Sequence, residues 1–463
     1  MLSLNYAHCL SDSIGIDHGL MEPEIFGLQS RLQEAHNAVQ RMGTSGKLGF
    51  LDLPDQSAEA RRIMTWARKT RNSFDTLVVL GIGGSALGNN AVQQALRSPY
   101  WNLKDRKDRK GWLRLFVLDN VDPRWTAELL EILDLRKTLF NVISKSGTTA
   151  EILSNYFFFR KAVEAKVGVK KASRHFVITT DEQKGYLREL AKRENITSFV
   201  VPGNVGGRFS VLTPVGLVSA ALTGIDIGQL LGGAKAMSQR CQSGSPKENP
   251  AAAYAALQFL YYQKGVKLSV MMPYSQNFWG VADWYRQLWA ESLGKKLDRS
   301  GKIVNAGPTP IKALGVTDQH SQAQLYMEGP YDKIITFISV NDFGHKTAIP
   351  PVDKGHYLAK HTLNELIAAE QKGTSSALTK ALRPNLTVSV SEISPTTLGE
   401  LFFFFEMAVA YMGELMNINA FDQPGVELAK VYTYALMGRD GYDAQRQELA
   451  EMERKDSQGS HGV

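Results

Sequence analysis

Several groups of residues in this 463-residue chain have types and spacings suited to chemistry. The first is the run Ser144-Lys145-Ser146-Gly147-Thr148-Thr149. Residues 139–143 before it are apolar and read as a buried parallel strand. Residues 151–163 after it have helical spacing. The run therefore lies between a strand's C-terminal end and a helix N-terminus. There the first amides have no internal partner and the helix dipole favours negative charge. Its hydroxyls and one Lys add donors, so the loop is suited to an oxyanion such as a phosphate. An ordinary helix cap, which needs only one such residue, is the alternative for the loop taken alone.

Two glycine loops add to this. Gly81-Ile82-Gly83-Gly84-Ser85-Ala86 follows an apolar strand and precedes a helix, matching the loose pattern G-x-G-x-x-A. A dinucleotide site of that kind wants an acidic residue roughly 20 positions on. The nearest candidate at a strand end, Asp119, lies well beyond that distance. A glycine turn that lets backbone amides and Ser85 approach a smaller anion is the other reading. Gly206-Gly207-Arg208 ends a later strand, and Arg208 carries a permanent charge able to face an oxyanion formed in a reaction. A structural ion pair is the plainer role.

The acid–base candidates come later. Gln287 and Glu291 are four apart in a helical stretch and share a face, with Trp284, Leu288 and Trp289 around them. A carboxylate in apolar surroundings can carry a proton near neutral pH, although a helix Glu usually faces solvent. His320 offers an imidazole, a side chain suited to proton shuttling. Gln423 and Lys430 bracket a turn that opens a helix. Taken singly, His320 and Lys430 read equally well as structural or surface residues. No His/Asp/Glu cluster has metal-ligand spacing, so no metal is expected.

These residues must be held by a scaffold, and the pattern supplies one. Short apolar runs at 77–80, 113–118, 139–143, 176–179 and 199–201 alternate with helical stretches, the signature of βαβ units and a parallel sheet. Runs at 268–272, 334–340 and 386–390 mark a second, less regular α/β block, with helices at 251–263 and 280–293. Residues 21–42 and 59–71 read as helices. The expected organisation is an N-terminal helical segment (1–44), a first α/β domain (45–235), a turn-rich linker at 242–250, a second α/β domain (245–440) and a C-terminal tail (441–463), polar and disordered from Met452. The apolar window 401–416 is bounded or broken by Glu400, Glu406 and Glu414 and reads as a core helix, too short for a membrane span.

The formal net charge is +7, which permits anionic partners. The densest basic run, 104–110, is diluted by Asp105 and Asp108 and lacks interleaved aromatics, so no nucleic-acid partner is expected. The N-terminus shows no signal-peptide pattern. Two cysteines without partner or metal spacing suit a reducing, cytoplasmic compartment.

In order along the chain, Gly-Ile-Gly-Gly-Ser (81–85), Ser-Lys-Ser-Gly-Thr-Thr-Ala-Glu (144–151), Gly-Gly-Arg-Phe-Ser (206–210), Ala-Glu-Ser-Leu-Gly-Lys (290–295), Gln-His-Ser (319–321) and Phe-Asp-Gln-Pro-Gly-Val-Glu-Leu-Ala-Lys (421–430) resemble the bacterial-type phosphoglucose isomerase family. The resemblance covers about residues 40–440. It implies two doubly wound sugar-isomerase (SIS) α/β domains, a homodimer and no cofactor. It implies that Gly84, Ser85, Ser144, Lys145, Ser146 and Thr149 surround a sugar 6-phosphate. Glu291 would be the base moving a proton between C1 and C2 through a cis-enediol, with Arg208 facing the enediolate oxygen. His320, from the neighbouring subunit and oriented by Glu151, and Lys430 would serve ring opening. Gln287 and Gln423 would line the substrate. The alternatives are an isomerase of dual glucose/mannose specificity, a sugar-phosphate sensor without turnover, and a nicotinamide dehydrogenase resting only on Gly81 to Ala86.

Overall fold

The computed structural model describes residues 1–353 and 355–458. Its strands, in chain order, are β1 (Ser3–Asn5), β2 (Thr76–Leu80), β3 (Arg114–Leu118), β4 (Thr138–Ser144), β5 (Phe176–Thr180), β6 (Ser198–Val200), β7 (Leu268–Pro273), β8 (Lys295–Leu297), β9 (Ile303–Ala306), β10 (Thr309–Lys312), β11 (Lys333–Asp342) and β12 (Asn385–Glu392). The first sheet has the order β3-β2-β4-β5-β6 and is parallel throughout. Its inner strands β2, β4 and β5 are buried along their whole length. That is why they read as unbroken apolar runs rather than alternating ones.

The strand order has a consequence for function. From β2 the chain steps to one side, to β3, and then crosses to the other side, to β4. The loops leaving the C-terminal ends of β2 and β4 therefore diverge and open a crevice, where ligands of open α/β sheets bind. Both anion-suited loops of the sequence leave from those two strands.

The second sheet has the order β1-β12-β11-β7-β10, parallel except for β1, which runs antiparallel to β12. Thus residues 1–44, beside their helices, also supply an edge strand. The stretch 21–42 is two helices, Glu22–Gly27 and Gln29–Thr44, broken at Leu28. The 242–250 stretch is irregular but packed: Asn249 is buried, donating to Ser243 O and the Tyr411 hydroxyl while capping the helix Pro250–Gln263. The tail does not become disordered at Met452. A helix, Asp443–Gln458, runs through that point, and residues 459–463 lie outside the described residues.

Of three hydrophobic clusters among the described residues, the largest draws on both sheets and on the helix Pro395–Leu415, with Phe402, Phe403, Phe404 and Phe405 all buried. Among the described residues no helix is long and apolar enough to cross a membrane. Glu406 on the helix Pro395–Leu415 is 0% exposed, and neither carboxyl oxygen has a hydrogen-bond partner. Burial pushes its carboxyl well above the ordinary carboxylate range. The folded chain therefore keeps a proton that the unfolded chain has released above about pH 4.3. Stability must fall as pH rises from there toward the folded-state value. Glu406→Met is expected to raise Tm, with a larger gain at pH 8 than at pH 5. Equal gains at both pH values in thermal unfolding would show that Glu406 is not held protonated.

Candidate active site

The loop after β4 is shaped by its one glycine. Gly147 has φ 69°, and a Cβ there would lie 3.2 Å from Thr180 Oγ1 and 3.3 Å from Gly185 Cα. The tight turn gathers the hydroxyls. Ser144 Oγ is 2.8 Å from Thr149 Oγ1, and Ser146 Oγ is 3.4 Å from each. Thr148 Oγ1 donates to Ser146 Oγ at 3.3 Å. Thr149 is the N-cap of the helix Ala150–Val167, yet its side chain makes no capping bond. A plain cap is therefore not what this cluster does. Ser146 and Thr148 are exposed, Thr149 is half-buried and Ser144 is buried beneath them, an arrangement at a helix N-terminus that is suited to an anion.

Lys145 stands differently from expectation. Its Nζ donates to Gly203 O and Val205 O, both at 2.8 Å, and burial lowers its pKa. Two of its three donors thus brace the loop that leads into Gly206–Arg208.

The loop after β2 meets that same segment. A Cβ on Gly84 would sit 2.2 Å from Gly207 O and 2.9 Å from Arg208 N, so only glycine allows the two backbones this close. Gly83 faces Gln287, whose Nε2 is 3.1 Å from the place a Cβ would take. Ser85, half-buried, follows in the same turn. Gly84→Ala is expected to cost about 1–3 kcal/mol, the range for overpacking against rigid neighbours. It should also lower kcat/KM, because the loops bearing Ser85 and Arg208 must part. Chemical denaturation and a turnover assay check this, and an alanine variant of unchanged stability would contradict the contact.

Arg208 is the hub. It is 2% exposed, and each of its N–H groups is taken. Nε donates to Ser292 Oγ at 2.7 Å. Nη1 donates to Glu291 Oε2 at 3.2 Å and Gln423 Oε1 at 3.0 Å. Nη2 donates to Ala420 O at 2.6 Å and Asp422 O at 3.2 Å. Burial lowers its pKa, while Glu291 and Asp422 oppose that. Glu291 and Gln287 lie one turn apart on the helix Trp279–Leu293, and Gln287 Nε2 donates to Glu291 Oε1 at 3.1 Å. Both carboxylate oxygens are thus oriented, while the side chain stays 32% exposed and able to reach a ligand.

Three expected residues are not gathered here. His320 is exposed on the short turn Thr317–His320 and has no hydrogen bond among the described residues. Glu151, in the first turn of its helix, has no side-chain partner among them either. Lys430 Nζ pairs with Glu427 at 2.8 Å on the exposed helix Glu427–Leu436. Sequence reasoning missed Ser292 and the carbonyls of Ala420 and Asp422. Ser292 lies within a segment already singled out, beside Glu291, whereas main-chain acceptors leave no trace in residue type.

The phosphoglucose isomerase family model matches residues 55–448. The chain is 47% identical to the glucose-6-phosphate isomerase of Carboxydothermus hydrogenoformans, over 94% of this chain and 95% of that protein. It is 39% identical to the glucose-6-phosphate isomerase of Rubrobacter xylanophilus, over 93% and 97% respectively. Among solved structures it resembles hypothetical protein TT0462 of Thermus thermophilus, with a TM-score of 0.85, 35% identity, and coverage of 95% of this chain and 100% of that one. The fold is shared with a glucose-6-phosphate isomerase of Chlamydia trachomatis, at a TM-score of 0.81 and 24% identity over 98% and 91%. With a match that spans the Gly84, Ser144, Arg208, Glu291 and Gln423 segments alike, this chain belongs to the phosphoglucose isomerase family.

Proposed function

We propose that the chain interconverts glucose 6-phosphate and fructose 6-phosphate, with the phosphate on the hydroxyl loop and the reacting carbons at Glu291. One observation supports this above the others: a carboxylate about a third exposed is held by Gln287 and a fully engaged buried Arg208, and the segment leading to Arg208 is tied by Lys145 to the hydroxyl loop. Ser85, Ser144, Ser146 and Thr149 bind the phosphate, and Lys145 braces the neighbouring loop. The anchored phosphate supplies binding energy that orients the other end of the sugar.

In the open-chain aldose, Glu291 takes the proton from C2. The electron pair forms the C1=C2 bond, and O1 becomes the enediolate oxygen. Arg208 Nη1 stabilises it by exchanging Gln423 Oε1 for the new oxygen, which leaves the Gln423 amide free to bind the sugar. The O2 proton passes to O1, protonated Glu291 returns its proton to C1, and the C2=O2 carbonyl of the ketose results. No hydride and no redox partner is required. Ring opening is assigned to Lys430 and to His320 of a second copy, the latter oriented by Glu151. Support for a dimer comes from exposure: His320 is exposed with no side-chain partner among the described residues, and Leu428, Leu436 and Met437 near Lys430 are 57%, 66% and 79% exposed. Buried, unpaired Cys9 and Cys241 accord with a reducing cytoplasm.

The test is a coupled assay of fructose 6-phosphate conversion, with and without a chelator. Turnover insensitive to the chelator is expected. Failure to turn over either sugar phosphate, or loss of activity with the chelator, would refute the reading.

A further inference from the structure

Lys295 begins β8, two residues after the helix that carries Glu291 ends. It is 8% exposed, and Lys is seldom so buried unless its ammonium has fixed partners. Its Nζ donates to Glu291 O at 2.6 Å and to Asp422 O at 2.8 Å, with Asp422 Oδ1 at 3.6 Å. The Glu291 carbonyl is one of those a helix C-terminus leaves without an amide partner, and a cation there also meets the negative end of the dipole. Asp422 O is shared: Arg208 Nη2 reaches it at 3.2 Å. Two buried cations therefore grip the same turn, Arg208 from the side chain of Glu291 and Lys295 from its backbone. Burial and the Arg208 charge depress the Lys295 pKa, while Asp422 and Glu291 oppose this.

We infer that Lys295 is a positioning residue for the isomerisation: it ties the end of the Glu291 helix to the turn that carries Gln423. This rests on the assignment of Glu291 as the base. Lys295 itself faces two carbonyls and one carboxylate, all within the chain, so it acts through Glu291 and Gln423 and not on the sugar. Without it, the helix end and the turn each lose a tether. Glu291 and the Gln423 amide then drift relative to the phosphate cradle, which Lys295 does not touch. Displacements of about 1 Å at a reacting group can cost 10²-fold in rate.

The experiment compares Lys295→Met and Lys295→Arg with the full-length parent. Lys295→Met should lower kcat by about 30- to 100-fold, on the scale of such misplacements. KM should change by less than about threefold, and inhibition by inorganic phosphate, which reports on the cradle, should be unchanged. Lys295→Arg, which keeps a buried cation and its donors, should recover most of the lost kcat. A purely structural role would lower the folded fraction and leave kcat per folded molecule intact, and that result overturns the proposal. So does a Met variant with kcat within threefold of the parent. If Lys295→Met does not fold, Lys295→Gln, which retains one donor, carries the same comparison, and full activity in that variant is equally fatal. The two readings fail separately. Turnover retained by Glu291→Gln removes the base assignment, whereas an inactive Glu291→Gln beside a fully active Lys295→Met removes only the positioning role.

Discussion

Glu291→Gln is expected to lower kcat about 10³- to 10⁴-fold, the upper range for loss of a positioned acid–base group, while sugar phosphate still binds. The substitution keeps the shape and one acceptor but cannot take a proton from carbon. The two oxygens of Glu291 now accept from Gln287 Nε2 at 3.1 Å and Arg208 Nη1 at 3.2 Å. An amide can accept on one side only, so its NH2 must face a donor on the other and the side chain will turn. Because Glu291 is about a third exposed, losing the ion pair should cost no more than about 1 kcal/mol of stability. The phosphate cradle shares no hydrogen bond with Glu291, so KM should move little. Assay of both directions, with exchange of the C2 proton into solvent as a second readout, decides the matter. Turnover near the parent's rate, or exchange without it, would remove Glu291 from the role of base.

The reach of the sequence follows from what kind of force builds each part. The strands β2, β4 and β5 were legible because burial on both faces demands continuous apolar runs. The edge strands β1 and β10 of the second sheet were not. Ser3-Leu4-Asn5 owes its place to pairing with Val388 and its neighbours on β12, and Thr309–Lys312 to pairing with β7. Three or four residues paired on one side need no pattern of their own. The hairpin of β8 and β9 is largely exposed and equally silent. At the site, the shared face of Gln287 and Glu291 could be read from helical geometry alone. The engagement of Arg208 could not, because two of its acceptors are main-chain carbonyls of residues 420 and 422, placed by the end of the long buried helix. Lys145 shows the converse. Its residue type suggested a phosphate, but the nearest acceptors in the fold are carbonyls of the adjacent loop, and these hold two of its three donors.

Arg208→Lys, which preserves the charge, should nonetheless reduce kcat about 10²- to 10³-fold, as loss of an aimed oxyanion donor does. A guanidinium is a planar fork with five donors, whereas an ammonium is a point charge with three. Here every one of the five is used, on Ser292, Glu291, Gln423, Ala420 O and Asp422 O. A lysine leaves at least two of these acceptors bare in a site where Arg208 is 2% exposed. Each unmatched buried acceptor costs about 1–3 kcal/mol, so a loss of about 2–6 kcal/mol in stability should accompany the loss of rate. Stability and chemistry can be separated with Ser292→Ala. That change removes the Nε acceptor alone, leaves Nη1 on Glu291 and Gln423, and should cost about 1–3 kcal/mol with kcat within about fivefold of the parent, a weaker effect than losing an oxyanion donor. If Ser292→Ala were as damaging to kcat as Arg208→Lys, the rate would depend on the rigidity of the whole cluster and not on the donor that Nη1 presents to the enediolate. If Arg208→Lys kept its rate while losing stability, Arg208 would be a brace between the first sheet's loops and the turn at 420–423, and the negative charge of the intermediate would need another home.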